Sequence, residues 1–555
     1  MARARSESLS LAPLAAALGI AALGALAWSN RSKTRLAEHR HPAPGWFVTV
    51  DGVRLHYVER GSGAPIVLLH GNGAMAQDFL ASGLMQRLAV SHRVIAFDRP
   101  GFGYSARPRG HFWTARRQAA LIHKALAALG VDRPIVVGHS WGTLVALELA
   151  LDHPLDVGAL VLLSGYFYPS PRFDIALAVP NATPLLGDVL NHTIAPPLTK
   201  ALAPLLLRKI FTPSAVPERF RRGFPLDLAL RPGQLHAMAQ DTTLMLPAAM
   251  TAQRRYRDLT APAMIMAGDG DRIVDPTAQS LRLARELGAA VEIVTGAGHM
   301  IHYDAPEQIA AAIERLAQKA AASMQAGPAG WLLAQARAVI FDIDGTLVDS
   351  VDLHAQAWQE AFRDFGHEID YGAIRRQIGK GGDQLMPVFL SEEELRAKGE
   401  ALEKHRTAIF KEKYLPRVTS FPGVRALFER LRGDGKQIVL ASSAKKDEIE
   451  IYKRIADIAD LVSAEVSADD VAKSKPHPDV FESALSKLRG IGADQAVAVG
   501  DSPYDAEAAA KARLRTIGVL CGGFPERDLR QAGCAAIAQD PAELLRQYAS
   551  IAARR

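Results

Sequence analysis

Ile135-Val136-Val137-Gly138-His139-Ser140-Trp141-Gly142 is the stretch on which the first half of this 555-residue chain turns. A short β-branched run leads into a serine between two glycines, and an apolar helical pattern follows. The glycines permit a sharp turn from strand to helix. Ser140 then stands at a helix N-terminus, where free N–H groups and the helix dipole favour negative charge. Working outward, apolar strand-like runs recur at 66–69, 94–97, 159–163, 263–266 and 291–294, with helical stretches between most of them. This alternation predicts an α/β domain built on a largely parallel, doubly wound sheet. Alternation around Asp51-Gly52 predicts a leading hairpin. The interval between the runs at 159–163 and 263–266 is too long for one crossover and holds apolar, proline-bearing helical segments, so a lid is expected over about 164–260.

A serine hydroxyl is a weak nucleophile until a base takes its proton. The base candidate is His299 in Gly296-Ala297-Gly298-His299, after the last strand-like run. The orienting acid candidate is Asp271 in Gly268-Asp269-Gly270-Asp271, with Asp269 and Asp275 as neighbouring competitors. His70-Gly71-Asn72-Gly73 follows an earlier strand. N–H groups around Asn72 and Gly73, together with that of Trp141, are the candidate holders of a developing oxyanion. With Asp98-Arg99-Pro100-Gly101-Phe102-Gly103, these motifs resemble the α/β-hydrolase fold family over about residues 45–318. The order Ser140, Asp271, His299 agrees with that family's pattern. Ser140-Trp141 also resembles the Asp-Trp dipeptide of the family's dehalogenases and epoxide hydrolases, but serine implies acyl transfer. Carbon–carbon bond hydrolysis is the alternative within the fold.

A second α/β pattern starts with Ala338-Val339-Ile340-Phe341 and continues into Asp342-Ile343-Asp344-Gly345-Thr346. Carboxylates two residues apart point the same way from an extended segment. A metal between a carboxylate and a phosphate reduces their repulsion and lets the carboxylate attack phosphorus. The segment resembles the first motif of the haloacid dehalogenase (HAD) superfamily. The resemblance implies Asp342 as nucleophile and Asp344 as general acid/base. It further implies Ser442 and Lys475 as phosphate-binding residues, with Lys475 neutralising the nucleophile. Asp501 and Asp505 would join Asp342 and Asp344 in serving Mg²⁺, a hard cation suited to oxygen ligands. The helical insert at about 350–420 resembles the small cap of the phosphoglycolate phosphatase and β-phosphoglucomutase subgroup. In that cap His354 and Lys380 are candidate substrate contacts. Ile378-Gly379-Lys380-Gly381-Gly382 lacks the arginine expected of a mutase, so a phosphatase acting on a small metabolite is favoured over a mutase.

The expected organisation is an N-terminal segment and basic linker (1–42), an α/β-hydrolase domain with a helical lid (43–320), a linker (321–336), and a HAD Rossmann-like domain with a small helical cap (337–555). Charge changes along the chain in step with this. Residues 1–330 carry 33 Lys and Arg against 24 Asp and Glu, and the remainder 32 against 35. Basic residues are not interleaved with aromatics, so small-molecule substrates are expected rather than nucleic acid. Two cysteines, Cys521 and Cys534, exclude a disulfide framework or a cysteine-rich zinc module. Residues 9–28 are uncharged and followed by Arg31, Lys33, Arg35 and Arg40. Three readings of that segment stand: a membrane anchor, with the flanking charge leaning to a cytoplasmic body; a signal peptide cut after Ala27, with export; or a surface helix on a soluble cytoplasmic protein. One half serving as a regulatory or binding module is the remaining alternative to two active hydrolases.

Overall fold

The computed structural model describes residues 12–552. The chain divides into two compact units, the first extending to Leu151 and resuming over Asp156–Gln318, the second holding Asp152–Leu155 and Lys319 onward.

The first unit is built on eight strands: β1 (Trp46–Val50), β2 (Val53–Arg60), β3 (Ala64–Leu69), β4 (His92–Phe97), β5 (Ile135–His139), β6 (Ala159–Leu163), β7 (Ala263–Gly268) and β8 (Ala290–Val294). Their order in the sheet is β1-β2-β4-β3-β5-β6-β7-β8. The β1–β2 hairpin joins β4 antiparallel, and every pairing from β4 to β8 is parallel. All five residues of β5 and of β6 are buried, which explains why these strands read as continuous apolar runs rather than alternating ones. One face packs on Leu144, Leu147 and Ile122, the other on Phe79, Ile309 and Ile313. Between β6 and β7 the chain leaves the sheet and forms helices from Phe173–Ala182 to Pro232–Ala252.

The second unit has six strands in one parallel sheet: β9 (Ala338–Phe341), β12 (Gln437–Ala441), β13 (Ala464–Val466), β14 (Ala496–Gly500), β15 (Arg515–Val519) and β16 (Ala536–Ala538). The order is β13-β12-β9-β14-β15-β16, so β9 is central. Two short strands, β10 (Val348–Asp349) and β11 (Thr419–Ser420), pair antiparallel where the chain enters and leaves the cap.

Two expectations are corrected. Residues 321–336, read as a linker, are largely helical. The helix Pro306–Ala326 runs into them, and Pro328–Gln335 is a second helix. Trp331, Leu332 and Leu333 of that helix are buried in the core of the second unit. Gly327-Pro328, which reads as a spacer, is instead a helix start, with proline at the first turn where its missing N–H costs nothing. The second correction concerns a membrane span over 9–28, of which 9–11 lie outside the described residues. Among the described residues no helix is long and apolar enough to cross a membrane. Eight of the 20 residues in 9–28 are alanine. The helix Ala12–Arg40 also does not end at Trp28 but continues through Arg31, Lys33 and Arg35. Its second half belongs to the first unit: Asn30 Nδ2 donates to the carbonyls of His192 (3.0 Å) and Thr193 (2.7 Å), and Ala37 is buried.

Two candidate active sites

Ser140 follows β5 and precedes the helix Trp141–Asp152. Its φ of +51° is a left-handed conformation unusual for a non-glycine residue, the strained elbow expected of this motif. Only glycine fits on either side. A Cβ on Gly138 would meet the Gly142 carbonyl oxygen at 2.6 Å, and one on Gly142 would meet that of Leu69 at 2.1 Å. His299, after β8, directs Nε2 to Ser140 Oγ (3.0 Å) and Nδ1 to Asp271 Oδ2 (2.8 Å). A carboxylate can only accept, so Nδ1 carries the proton and Nε2 is free to receive one from the serine. Asp271 Oδ1 takes the N–H groups of Ile273 (2.8 Å) and Val274 (3.0 Å), which fixes the carboxylate. The competing acids are occupied elsewhere: Asp269 accepts from Gly296 N, and Asp275 from Thr277 N and Ala278 N.

Trp141 N–H stands at the start of its helix, where the first N–H groups have no intrahelical acceptor. The Asn72–Gly73 turn after β3 approaches the lid: Asn72 Nδ2 donates to Met238 O (3.1 Å) and Thr242 Oγ1 (2.8 Å) of the helix Pro232–Ala252. The Asn72 side chain is thus committed to the lid, leaving the backbone of this turn as its contribution to an oxyanion. Sequence reading missed the residue that sets this turn. Arg99, fully buried after β4, donates to the carbonyls of His70 (Nε, 2.8 Å) and Gly71 (Nη2, 3.0 Å) and pairs with lid residue Asp241 (2.6 Å). The turn motif containing Arg99 was the available signal. His70 is held down at about 4 by burial and by the Arg99 guanidinium, so it is neutral.

In the second unit Asp342 stands just past the end of central strand β9, buried. Lys475 Nζ bridges Asp342 Oδ1 (2.5 Å) and Asp505 Oδ1 (2.7 Å). Asp505 Oδ2 accepts from Ser502 Oγ (2.6 Å) and Ser502 N (3.1 Å), and Asp501 Oδ1 from Thr346 Oγ1 (3.1 Å). Carboxylate oxygens of Asp342, Asp501 and Asp505 lie within 4.8 Å of one another, all buried. Burial, and the crowding of Asp505 and Asp344, push Asp342 up to about 7 despite Lys475. Asp501 is raised well above the ordinary range by burial and by Asp505 and Asp342. Three carboxylates against one ammonium leave an excess of negative charge out of water, and their donor atoms are all hard oxygens. A divalent, oxygen-seeking cation fits this site. Ser442, buried after β12, accepts from Ala444 N (3.0 Å).

Asp344 departs from the metal set expected of it. Its carboxylate is not among the three grouped ones, and its Oδ1 accepts from Ser350 Oγ (2.6 Å) and His354 Nε2 (2.9 Å). Burial alone would raise its pKa, but the hydrogen bonds from His354 and Ser350 and the nearby Arg406 guanidinium outweigh it and hold Asp344 below its ordinary value. Two further residues, not legible in the sequence, fix His354. Arg406 Nη2 reaches its Nδ1 (3.0 Å), and Tyr452 Oη its Nε2 (3.2 Å). Phe410 stacks on its ring at 3.9 Å. Arginine only donates, so Nδ1 accepts and Nε2 carries the proton given to Asp344. The glycine-rich cap turn sits against the core loops: a Cβ on Gly379 would lie 2.7 Å from Ser502 Oγ, and one on Gly381 2.1 Å from Ser474 Oγ. Lys380 lies beside this site, with Nζ bonded to Gln377 Oε1 (2.6 Å) and 4.7 Å from the Tyr504 ring centre.

Comparison with known proteins agrees with this division. Residues 64–306 match the alpha/beta hydrolase fold, and residues 339–519 match the haloacid dehalogenase-like hydrolases. Haloalkane dehalogenase 2 of Mycobacterium tuberculosis is 28% identical over 48% of this chain and 92% of its own length. A putative carbamate hydrolase, RutD of a Caulobacter species, is 29% identical over 48% of this chain and 95% of its own. For the second half, the probable phosphatase IndB of Dickeya dadantii is 33% identical over 33% of this chain and 81% of its own.

Proposed function

We propose that this chain, which belongs to the α/β-hydrolase fold family through its first domain and to the haloacid dehalogenase-like hydrolases through its second, is a bifunctional hydrolase. Its first site cleaves a carboxylic ester-type bond. Its second is a Mg²⁺-dependent phosphatase for a small phosphorylated metabolite.

The unbroken hydrogen-bond line from Asp271 through His299 to Ser140 carries the first half of this reading. Ser140 Oγ attacks the carbonyl carbon as its proton passes to His299 Nε2. The imidazolium so formed is stabilised by Asp271, and the oxyanion by N–H groups of Trp141 and the Asn72–Gly73 turn. His299 then protonates the leaving alcohol, and water releases the acyl group by the same route. The similarity to a haloalkane dehalogenase does not extend the proposal to halide displacement, because the elbow residue is serine.

The Lys475 bridge between Asp342 and Asp505 carries the second half. Asp342 attacks phosphorus and becomes an aspartyl-phosphate, while Lys475 and Ser442 hold phosphoryl oxygens. Mg²⁺, held by Asp342, Asp501 and Asp505, would neutralise the repulsion between carboxylate and phosphate. Ionised Asp344 is arranged to accept a proton from the water that hydrolyses the aspartyl-phosphate. To protonate a departing alkoxide it must first take up a proton and turn from Ser350 and His354. The glycine-rich cap turn without an arginine at Lys380, and the resemblance to IndB, named a probable phosphatase, support phosphatase over mutase. Fluorophosphonate labelling of wild type and Ser140→Ala, and phosphate release by wild type and Asp342→Asn, test the two halves separately. Labelling that persists without Ser140, or phosphatase activity that survives Asp342→Asn, refutes the corresponding half.

A further inference from the structure

The outer surface of the lid is apolar in a way the active site does not explain. Of the 23 exposed large apolar side chains among the described residues, ten lie between Leu177 and Leu206, and five more lie between Leu18 and Leu36 on the N-terminal helix. The two groups adjoin within the first unit, since Asn30 of that helix bonds the carbonyls of His192 and Thr193. The helix Ala195–Phe211 shows the pattern most clearly. Its inner face buries Ala203 and Phe211, and Leu207 and Ile210 pack against the cluster that holds Phe211. Its outer face carries Leu198, Leu202, Leu205 and Leu206, at helical spacing and exposed, Leu205 by 67%. A helix apolar on two faces is expected to be covered on both. Leu177, on the helix Phe173–Ala182, and Leu185, in the turn that follows it, are each about four-fifths exposed and continue the patch.

Beside this patch lies a groove of about 830 Å³ between the N-terminal helix and the lid. Lys33, Arg40, Lys200, Arg221 and Arg222 line it, over a floor that includes Phe224 and Leu230. Its one acid, Asp227, is already paired with His41 at 3.2 Å. These cations, of which Arg222 is also paired with Glu218 at 2.7 Å, surround an apolar floor and match phosphate groups borne on acyl chains.

We propose that this face docks on the surface of an anionic phospholipid membrane, with headgroup phosphates in the basic groove and the leucines of 177–206 entering the acyl boundary. The charge argues against a second copy of the chain, because an isologous contact would oppose the same cations to one another. The patch itself is aliphatic, with Trp28 at its margin, whereas protein interfaces are enriched in aromatic residues and methionine. The inner lid helix Pro232–Ala252 contacts the Asn72 turn, so the docking face and the Ser140 site share one lid. The binding itself does not depend on what that site cleaves.

The test is flotation of the full-length chain with phosphatidylcholine vesicles and with vesicles in which about a third of the lipid is phosphatidylglycerol. Strong binding to the anionic vesicles, weakened but not abolished by salt, is expected. A Leu198→Gln/Leu202→Gln/Leu205→Gln variant and a Lys200→Glu/Arg221→Glu variant should each lower binding by about tenfold or more while hydrolysis of a soluble short-chain ester stays unchanged. Equal binding to both vesicle types, no binding, or wild-type binding by both variants overturns the proposal. So does a concentration-dependent dimer, seen by light scattering and lost in the leucine variant, without vesicle binding.

Discussion

The two sites place their proposed nucleophiles at the same structural address and surround them in opposite ways. Ser140 and Asp342 each follow the C-terminal end of a central parallel strand, β5 and β9, where buried backbone holds the residue still. Around Ser140 the ionisable groups form a line in which each donor meets one acceptor, ending in Asp271 and its two backbone N–H partners. The nucleophile starts neutral and is activated by passing on its proton. Around Asp342 the groups form a cluster in which carboxylates outnumber the single ammonium. As the proposed nucleophile, Asp342 must be ionised, and burial and the neighbouring carboxylates oppose its ionisation. As proposed, the proton relay is complete in the polypeptide alone, whereas the carboxylate cluster would call on a cation to balance it.

The largest expected effects come from crossing the nucleophile substitutions. Ser140→Ala should reduce ester hydrolysis by about 10⁴-fold or more and leave phosphate release untouched. Asp342→Asn should do the reverse. Steady-state assays of both activities on both variants check this, and a variant that lowers both activities equally would break the comparison between two self-contained sites.

Chelation sharpens the difference next. EDTA should reduce phosphatase activity to background, with Mg²⁺ restoring it, while the ester activity continues. A thermal scan gives a second readout. Mg²⁺ should raise the melting transition of the second domain, because it relieves carboxylate repulsion in the folded state only, and Asp501→Asn should weaken that shift. A Mg²⁺-independent transition together with EDTA-resistant phosphatase activity would remove the metal from this site.

A smaller effect is expected at the cap. His354→Ala removes one of two donors to Asp344 and leaves Arg406 without its partner. By analogy with the outer-shell partners of metal ligands, kcat should fall by about 10–100-fold. KM should change little, because His354 acts through Asp344. Arg406→Gln should fall in the same direction but less, since it acts one bond further out. A change confined to KM would make His354 a substrate contact instead.

The central strands were legible because burial on both faces writes them as unbroken apolar runs: 66–69, 135–137 and 159–163 fall within β3, β5 and β6, and 338–341 coincides with β9. The edge strands of the second sheet were not. β13 is Ala464–Val466 and β16 Ala536–Ala538, too short to carry a period, and their existence depends on pairing with β12 and β15. The nucleophile motifs and Asp271 and His299 were readable because each follows a strand at a fixed place. Arg99 with Asp241, and His354 with Arg406 and Tyr452, meet across long sequence separations from elements of different kinds. No local pattern announces such contacts. The partners of Asp344 were hidden for the same reason: two carboxylates two residues apart suggest a shared role, but nothing local shows that Ser350 and His354 meet Oδ1 of the second.

The smallest predicted effect concerns the base of the oxyanion turn. His70 donates Nδ1–H to Gly71 O (2.8 Å) and accepts Arg99 N–H on Nε2 (3.0 Å), so both nitrogens are used only while the ring is neutral. Burial and the Arg99 charge hold it at about 4, against an ordinary value of about 6.5 in the unfolded chain. Between those values the unfolded chain binds the proton and the folded chain does not. The stabilising contribution is therefore complete above about pH 6.5 and is lost as the pH falls through about 4. Between pH 7 and pH 5 this amounts to about 2 kcal/mol for His70. His139, also driven down by burial and by its neighbours His302 and His299, acts in the same direction. Urea unfolding of wild type at the two pH values should show the loss. His70→Asn retains the Nδ1-like donor but cannot be protonated in this range, so it should be less stable at pH 7 and lose about 2 kcal/mol less on acidification. An identical pH dependence in the variant would mean that His70 does not titrate with unfolding, and that the oxyanion turn beneath Ser140 is held by Arg99 alone.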